Sequence, residues 1–246
     1  MIDATQSASN KLKYSIELTV MLPTKQEAGT ITEVIGGVHE TCRQFGVPYE
    51  ILVVDAGSTD NTQDLAAERG ARVIRQKRPQ YAGAILDGID AASAETIIVL
   101  DADGSHPPET IADLWAVRDE ADLGIASRFV PGSVSDMNFF RYIFSRILNF
   151  VFYIFLWVPV RDMSSGFRLY HKSMMQKYNF TGGNLSMLQD IVTKLHVNGH
   201  RIVEVPLHYK PRDAGQSKTQ VFRYGLSHLY TLLRLIGYRH FGIGRN

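Results

Sequence analysis

The sequence predicts an α/β fold with a mainly parallel central sheet, and three observations lead to it. The first half of the chain alternates short, β-branched apolar runs with segments of helical periodicity. Repeated β-α units of this size build parallel sheets joined by right-handed crossovers. Polar residues follow three of the apolar runs, at positions that meet along one edge of such a sheet. We therefore expect the functional residues in a crevice at the carboxyl ends of the strands.

The individual elements can be placed in chain order. Strands are predicted at 16–22, 49–54, 72–74, 96–100 and 123–126. Helices are predicted at 30–45, 61–69, 82–92 and from Pro108 onward, since proline is tolerated in a first helical turn. Thr30 and Glu33 form a capping-box pattern at the start of the first helix, and Gly70 stops the second.

Composition narrows the class of protein. The chain has 246 residues, 45% of them hydrophobic, which suffices for one large α/β domain or two small ones. Its net charge of +1 gives no sign of a nucleic-acid partner. A single cysteine, Cys42, excludes an intrachain disulfide framework and suits a reducing compartment. Residues 1–13 are polar and do not resemble a signal peptide, so we expect a disordered tail there.

Two carboxylates, Asp101 and Asp103, directly follow the predicted strand at 96–100. Carboxylates at the edge of a buried sheet are costly unless something pairs with them. A hard divalent cation that shares its oxygen ligands with phosphate groups suits this spacing. The same short motif also occurs in solvated turns, so by itself it leaves both interpretations open.

Asp55 and Glu27 follow two other predicted strands. Asp55 stands directly before Gly57, and it is a candidate acceptor of hydrogen bonds from a nucleobase or ribose. The alternative for Asp55 is capping of the next helix, although Asp60 is better placed for that. Glu27 is a candidate for ribose contact, with a solvated surface charge as its alternative.

Seven motifs occur along the chain in one order, at 22–27, 53–60, 100–109, 126–128, 161–168, 202–206 and 212–218. Together they resemble the family-2 glycosyltransferases, and within that family the dolichol- and polyprenyl-phosphate mannosyltransferases. The resemblance rests on the whole set, since no single motif is decisive. It implies a GT-A fold, a single nucleotide-sugar-binding domain at 14–218, followed by an amphipathic helix at 219–246.

The resemblance also implies roles for individual residues. The expected donor-binding residues are Pro23, Glu27, Asp55, Asp101, Ala102, Asp103, Arg212 and Lys218. The expected ligands of Mg²⁺ or Mn²⁺ are Asp101, Asp103 and Ser105. The residues expected to meet the acceptor phosphate are Arg128 and Arg141. The expected catalytic residues are Asp103, Arg128 and Asp190, with Asp190 near the sugar.

Two positions depart from the family pattern. The family usually has a second acidic residue after Asp55, where this chain has Ala56. Its mannosyltransferases often have glutamine where this chain has Ser105. A serine hydroxyl still ligates Mg²⁺ directly or through water. Both departures leave open whether the donor is a GDP-hexose or a UDP-hexose.

Two apolar segments lie in the second half. Residues 139–160 are rich in aromatic and aliphatic side chains, interrupted by Arg141 and Arg146. The charge-free stretch at 147–160 is too short to span a bilayer. We expect this segment to lie on a membrane surface, with a buried core helix as the main alternative and a membrane span as the remaining one. Residues 221–241 repeat the pattern, and packing on the core is an equal alternative for them.

The predicted function is inverting, metal-dependent transfer of a hexose, mannose or glucose, from a nucleotide-sugar to a polyprenyl or dolichyl phosphate. A phosphomonoester oxygen is anionic at neutral pH and needs no general base to attack the anomeric carbon. The protein then supplies positioning and charges that offset the leaving diphosphate. Asp190 is the candidate base if the acceptor is a hydroxyl instead. We expect an enzyme that lies peripherally on the cytoplasmic face of a membrane.

Two other functions fit parts of the sequence. Residues 99–105 also resemble the first motif of haloacid-dehalogenase-type phosphatases, which implies Asp101 as nucleophile and Asp103 as acid/base. That motif usually stands near the start of its domain, whereas three β-α units precede it here. The other alternative is a sugar-nucleotide-binding module without activity, prompted by Ala56 and Ser105.

Overall fold

A computed structural model describes residues 16–181, 183, 186–210 and 218–244, with side chains in the last helix from His228 onward. The predicted tail at 1–13 and Arg212 lie outside the described residues, and so does the side chain of Lys218.

Helices and strands alternate through the first half, as the sequence predicts. The strands of the described residues are β1 (Leu18–Thr24), β2 (Tyr49–Asp55), β3 (Arg72–Arg75), β4 (Thr96–Val99), β5 (Leu123–Ser127), β6 (Val134–Ser135), β7 (Arg168–His171), β8 (Ile202–Pro206) and β9 (His208–Tyr209). The helices are α1 (Ile31–Arg43), α2 (Thr62–Glu68), α3 (Gln80–Ala91), α4 (Thr110–Ala116), α5 (Phe139–Leu156), α6 (Lys172–Lys177), α7 (Ser186–Val197) and α8 (Lys218–Phe241).

The central sheet of the described chain has seven strands in the order β3-β2-β1-β4-β7-β5-β8. β1 pairs in parallel with both β2 and β4, and β5 pairs in parallel with β8. β7 runs antiparallel between β4 and β5. The predicted mainly parallel sheet is confirmed, with this one antiparallel strand inserted.

Apolar side chains cover both faces of the sheet. Met21 of β1 belongs to one buried cluster, whereas Val20 and Leu22 belong to the other. The Met21 cluster includes residues of α3, α5, α7 and α8, and the second cluster includes residues of α1 and α4. A strand buried on both faces needs apolar residues without alternation, which is the pattern seen in the sequence.

Element boundaries in the first half differ from the prediction by one or two residues, and two of these differences involve prolines. β1 continues through Pro23 to Thr24. β4 pairs with β1 only as far as Met21, so at Pro23 the only neighbouring strand is β2. The missing N–H of Pro23 therefore costs no hydrogen bond to β4. α4 begins at Thr110, because Pro108 lies in a turn whose carbonyls accept the first hydrogen bonds.

The predicted capping box at the start of α1 is wrong. Thr30 does precede the helix, but its hydroxyl makes no side-chain cap. It donates instead to the carbonyl oxygen of Ala102 at 2.7 Å. This long-range hydrogen bond fastens the N-terminus of α1 to the turn that follows β4.

Candidate active site

The strand order brings the predicted donor residues to one rim. β2 and β3 lie on one side of β1, and β4 lies on the other. The strand order therefore reverses between β1 and β4. Ligands of open α/β sheets bind at such a switch point, outside the carboxyl ends of the strands. Pro23 lies near the end of β1, Asp55 ends β2, and Asp101 follows β4.

Asp55 is fully buried and organises the loop after β2. Its Oδ1 accepts hydrogen bonds from the backbone N–H groups of Gly57 at 2.9 Å and Ser58 at 2.8 Å, and from Gln63 Nε2 at 2.8 Å. Its Oδ2 accepts from the hydroxyls of Ser58 at 2.5 Å and Thr24 at 3.2 Å. Asp55 thus shapes the rim through its neighbours, and its contact with a nucleoside stays a prediction.

The loops after β1 and β2 are tied to each other, which fixes the position of Glu27. The backbone N–H of Glu27 donates to the Thr62 hydroxyl at 2.9 Å, and the N–H of Gln26 donates to the Ser58 hydroxyl at 2.9 Å. Asp60 accepts from the N–H of Thr62, the first residue of α2, at 3.1 Å. Asp60 therefore accepts one of the free N–H groups at the start of this helix, whereas Asn61 holds the N-cap position without a side-chain cap. The half-buried Glu27 side chain stays at the rim.

Asp101 lies at the mouth of the crevice, with its side chain 32% exposed. Its backbone N–H donates to His106 Nδ1 at 3.0 Å, and the Tyr81 hydroxyl donates to its Oδ1 at 3.4 Å. Burial lowers the pKa of His106, so the ring is neutral at physiological pH and Nδ1 serves as an acceptor. The ring also stacks on Phe167, with centroids 5.2 Å apart. The backbone of Asp101 is therefore held in place by the packed His106 ring.

Asp103 follows in the same turn and is oriented by Ser105. The Ser105 hydroxyl donates to Asp103 Oδ1 at 2.6 Å, and its backbone N–H donates to the same oxygen at 2.9 Å. Gly104 takes a φ of +78°, a conformation that suits glycine and makes this tight turn. Ser105 is buried, so the structure shows it as the support of Asp103, and its role as a metal ligand stays a prediction.

Asp101 and Asp103 fit a divalent cation that a substrate completes. Within the described residues, no group of three or more histidine, cysteine, aspartate or glutamate side chains is arranged to hold a metal. Two carboxylates at an open rim leave most of the coordination shell to water and phosphate oxygens. Mg²⁺ is bound in this way at phosphate-transfer sites, and hard oxygen ligands suit Mn²⁺ as well.

Arg128, directly after β5, is paired with Asp162. Its Nε donates to Asp162 Oδ2 and its Nη2 donates to Oδ1, both at 2.7 Å. Nη2 also donates to the Ser164 hydroxyl at 2.7 Å. Burial by itself would raise the pKa of Asp162, but the charge of Arg128 and these hydrogen bonds outweigh it and hold the pKa below its usual value. The guanidinium is thus fixed in one orientation.

A second arginine, Arg168, locks the segment that carries Asp162. Its fully buried guanidinium donates to the carbonyl oxygens of Ser165 at 2.7 Å, Met163 at 2.9 Å and Leu188 at 2.9 Å. Two of these bonds hold the loop before β7 together, and the third ties this loop to α7. The loop therefore presents Asp162 to Arg128 as a rigid unit.

Residues 19–178 match the family model described as "Glycosyl transferase family 2". The chain belongs to glycosyltransferase family 2. The matched range contains Asp55, Asp101, Asp103, Arg128 and the motif at 161–168, so all these parts of the candidate active site lie within the family domain. The alternative of a haloacid-dehalogenase-type phosphatase is therefore wrong.

Two of three curated relatives of this glycosyltransferase have names that refer to mannose on polyprenol or dolichol phosphate. A polyprenol monophosphomannose synthase from Mycolicibacterium smegmatis is 34% identical over 214 residues, covering 81% of this chain and 79% of that protein. A dolichol-phosphate mannosyltransferase from Pyrococcus furiosus is 31% identical, covering 90% of this chain but 65% of that protein. A hexosyltransferase of Haloferax volcanii is 27% identical, and this chain spans 54% of its length.

Solved structures confirm the predicted GT-A fold. Glucosyl-3-phosphoglycerate synthase from Mycobacterium tuberculosis, in complex with Mn²⁺, UDP and its product, superposes with a TM-score of 0.72 at 20% identity. That match covers 90% of this chain and 80% of the other. A complex of the same synthase with Mg²⁺ and UDP gives a TM-score of 0.71 at 20% identity, covering 96% and 85%.

α5 of this glycosyltransferase is apolar and largely uncovered. Only Asn149, Phe152 and Leu156 among its residues are buried, so the alternative of a core helix is wrong. Phe140 is the most exposed, at 80%. By length and composition α5 qualifies as a candidate membrane span, the single such helix in the described part of the chain, with 17% of it buried. Arg141, near its start, is exposed.

α8 contributes a second exposed apolar surface beside the first. Its inner face packs on the core through Leu232, Leu235 and Tyr238, so the expected packing is present. Leu229, Tyr230, Leu233 and Phe241 on α8 are nevertheless exposed. The His240 ring lies against Trp157, which ends α5, with centroids 5.2 Å apart and planes at 85°. We call the exposed apolar residues of α5 and α8 the apolar surface.

Asp190 lies in a buried ion cluster of α7. Its carboxylate lies 2.9 Å from Lys194 Nζ and 2.9 Å from Arg234 Nη2, and Oδ2 accepts the backbone N–H of Thr181 at 2.9 Å. The side chain is fully buried. The structure thus shows Asp190 joining α7 to α8, and its position near the sugar stays a prediction.

Asp162 and Tyr81 are among the supporting residues that had no predicted role, as are His106 and Arg168. Asp162 lies inside a motif that the sequence did reveal, but its pairing with Arg128 across 34 positions is a tertiary contact. Tyr81 is an aromatic residue of α3 without any motif around it. Its hydroxyl reaches Asp101 only because α3 packs on the face of the sheet below the rim.

Proposed function

We propose that this glycosyltransferase moves a hexose from a GDP- or UDP-sugar to a polyprenyl or dolichyl phosphate, with inversion at the anomeric carbon. GDP-mannose is the first donor to test, because the two relatives above 30% identity are named as mannose transferases to polyprenol and dolichol phosphate. UDP-glucose is the second, because the synthase that shares the fold was crystallised with UDP.

One observation supports the choice of a lipid acceptor. The apolar surface of α5 and α8 lies next to an arginine-lined rim. α5 follows Arg128 by only eleven residues, and the same helix carries Arg141 and Arg146 in its first half. A lipid phosphate needs this combination, since its tail requires an apolar surface and its head requires guanidinium donors. A soluble hydroxyl acceptor gives no reason for large exposed aromatic side chains.

The donor would be held by the carboxylate side of the rim. Asp101 and Asp103 would hold Mg²⁺ or Mn²⁺, which offsets charge on the donor diphosphate when bound. Glu27 and the loop shaped by Asp55 would bind the nucleoside, with Pro23 beneath it. Arg212 and Lys218 would contact the diphosphate, a role that the resemblance implies for them.

The acceptor side would supply orientation more than acid–base chemistry. A phosphate oxygen of the acceptor is already anionic at neutral pH, so no side chain has to remove a proton from it. Arg128, fixed by Asp162, would hold the phosphate in line with the bond to the leaving diphosphate. One displacement from the opposite face inverts the anomeric carbon.

The enzyme would work on a membrane surface. Asn149, Phe152 and Leu156 attach α5 along the domain, so this helix would lie in the interface with its opposite side in lipid. The single cysteine is buried and burial raises its pKa to about 12, which keeps it an unreactive thiol. A peripheral enzyme on the cytoplasmic face fits these features.

A donor and acceptor panel tests the proposal. The protein is incubated with Mn²⁺ or Mg²⁺, a set of GDP- and UDP-hexoses, and a short polyprenyl phosphate. We expect one donor to yield extractable glycolipid whose anomeric configuration is opposite to that of the donor. Transfer only to a soluble hydroxyl acceptor would contradict the proposal and direct attention to Asp190 as base. Donor binding without any transfer would support a binding module instead.

A further inference from the structure

Tyr209 lies between Arg128 and the turn at residues 101–106, which we call the metal turn. It ends β9, and its side chain is half-buried. The guanidinium carbon of Arg128 lies over its ring, 5.9 Å from the centroid. The His106 ring meets the same tyrosine edge-on, with centroids 6.2 Å apart and planes at 66°. One side chain thus contacts both the support of Asp101 and the arginine expected at the acceptor phosphate.

The backbone beside Tyr209 is bonded to the metal turn as well. The N–H of Lys210, the next residue, donates to the carbonyl oxygen of Ser105 at 3.2 Å. Ser105 is the residue whose hydroxyl and N–H both donate to Asp103 Oδ1. A displacement of Asp103 therefore acts on Ser105, and through one further hydrogen bond on the chain that carries Tyr209.

The strand that carries Tyr209 belongs to the small sheet of β6 and β9. The N–H of Asp136 donates to the carbonyl oxygen of Tyr209 at 3.1 Å, and the N–H of Val134 donates to that of Leu207 at 3.1 Å. A pair of two short strands is at best marginally stable by itself. The pair therefore takes its position from the elements that it touches, and the metal turn is one of them.

The rings near Arg128 restrain a motion that its hydrogen bonds leave freer. Asp162 accepts from Nε and Nη2, along one edge of the guanidinium. Two hydrogen bonds along one edge define an axis, and rotation about that axis is the motion that they restrain least. Phe129 and Tyr209 lie 5.1 Å and 5.9 Å from the guanidinium carbon, within the distance at which a cation and a ring attract. Both rings therefore oppose tilting of the guanidinium.

We propose that Tyr209 is a positioning residue that couples the two substrates: its ring holds Arg128 in the orientation that receives the acceptor phosphate, and the bond from its strand to Ser105 strengthens this hold once the donor has fixed the metal turn. The inference rests on the proposed function, since it names the residue through which donor and acceptor affect each other. Binding of Mg²⁺ and nucleotide then raises the affinity for phosphate. By linkage, phosphate raises the affinity for Mg²⁺ and nucleotide by the same factor.

Calorimetry measures this coupling without sugar transfer. Inorganic phosphate and farnesyl phosphate are each titrated into the full chain, with and without saturating Mg²⁺ and GDP or UDP. The coupling factor is the ratio of the two dissociation constants. We expect a factor of about ten in the wild type and in Tyr209→Phe, which keeps the ring, but a factor of about one in Tyr209→Leu.

Tyr142→Leu is the matched control. Tyr142 is also half-buried, and its ring packs edge-on against Phe129, with centroids 5.5 Å apart. It belongs to α5 and not to the strand whose neighbour is bonded to Ser105, so its variant should keep the coupling factor even if the phosphate affinity itself changes. Attraction or repulsion through space between the bound ligands is the same in every variant. A loss confined to Tyr209→Leu therefore measures the contribution of the tyrosine.

A second measurement separates positioning from stability. A merely structural role of Tyr209 lowers the free energy of unfolding and leaves the coupling factor unchanged, so urea unfolding of each variant accompanies the titrations. Tyr209→Met keeps a long apolar side chain without a ring. It takes the place of Tyr209→Leu if that variant does not fold, and it should lose the coupling factor in the same way.

Different results overturn the inference and the proposed function. Binding of neither phosphate, a factor of about one in the wild type, a wild-type factor in Tyr209→Leu, or an equal loss in Tyr142→Leu overturns the inference. If the wild type forms glycolipid while the factor does not depend on Tyr209, the inference is wrong and the proposed function stands. If the factor for inorganic phosphate depends on Tyr209 but no donor yields glycolipid, the proposed transfer is wrong and the role of Tyr209 stands.

Discussion

Arg128 and Asp162 form a fork of two hydrogen bonds, from Nε to Oδ2 and from Nη2 to Oδ1, each 2.7 Å long. The backbone N–H of Arg128 donates to Oδ2 as well, at 3.1 Å. Asp162 is held in turn by Glu204, whose Oε1 accepts its backbone N–H at 3.0 Å. The arginine is therefore oriented before any substrate arrives, which lowers the cost of placing a phosphate against it.

Asp162→Asn should lower the free energy of unfolding by about 3 kcal/mol at neutral pH, because it leaves a buried guanidinium without its counter-charge. The folded state lowers the pKa of Asp162, so the pair stabilises the fold above the unfolded value of about 3.9. This contribution is lost as the pH falls through the lower folded value. Urea unfolding at about pH 7 and about pH 3 measures both effects.

The difference in stability between the wild type and Asp162→Asn should therefore shrink as the pH falls below about 3.9. Asp113→Asn is the control, since Asp113 is an exposed aspartate of α4 and its loss should change stability by less than about 0.5 kcal/mol. An equal loss in Asp162→Asn at both pH values would show that the aspartate acts through its shape and not through its charge.

Asp103→Ala should abolish the dependence of donor binding on Mg²⁺ or Mn²⁺, because it removes one of the two carboxylates at the rim. Titration calorimetry with GDP-mannose and UDP-glucose, in the presence of each ion and of a chelator, measures this dependence. Asp113→Ala is the matched control on α4. Nucleotide-sugar affinity in Asp103→Ala that still rises with the metal would show that the metal assignment is wrong.

Gly166→Ala should destabilise the protein by about 1–3 kcal/mol through overpacking. A Cβ atom at this position would lie 2.7 Å from the Tyr81 hydroxyl and 3.7 Å from Asp101 Oδ1. Tyr81→Phe removes the hydroxyl, and the nearest remaining ring atom is 3.7 Å away, an ordinary contact. Urea unfolding of both single variants and the double variant gives their coupling energy.

The double variant Tyr81→Phe/Gly166→Ala should therefore be about as stable as Tyr81→Phe alone. A full additional loss would indicate that residue 166 is constrained by its backbone and not by the tyrosine. The metal affinity of Tyr81→Phe, measured by Mn²⁺ binding with UDP present, reports whether its hydroxyl also helps to orient Asp101.

Phe140→Ser/Phe144→Ser should weaken binding to vesicles at least about tenfold, because each phenylalanine contributes a large exposed apolar side chain. Sedimentation with vesicles of phosphatidylcholine and phosphatidylglycerol measures the bound fraction. Val134→Ser is the control, since Val134 is 52% exposed but lies on β6 and belongs to neither helix. Vesicle binding reduced equally by the control variant would contradict an interface confined to α5 and α8.

Local pattern was sufficient for most of the first half of the fold. The buried runs before Asp55 and Asp101 are too apolar for anything but strands covered on both faces, and the carboxylates after them had to lie at one edge. Thr30 shows where such reasoning fails. Its capping pattern is local, but the hydroxyl bonds to Ala102, a residue 72 positions away.

The sequence by itself determined the α/β class, the rim of carboxylates and the family, because these follow from periodicity, strand ends and the order of motifs. Tertiary structure decided how the residues support one another. The pairing of Arg128 with Asp162, the contact of Tyr81 with Asp101, and the burial of Asp190 between two cations join residues far apart in the chain. Contacts of this kind depend on the packing of whole elements, and local pattern contains no signal for them.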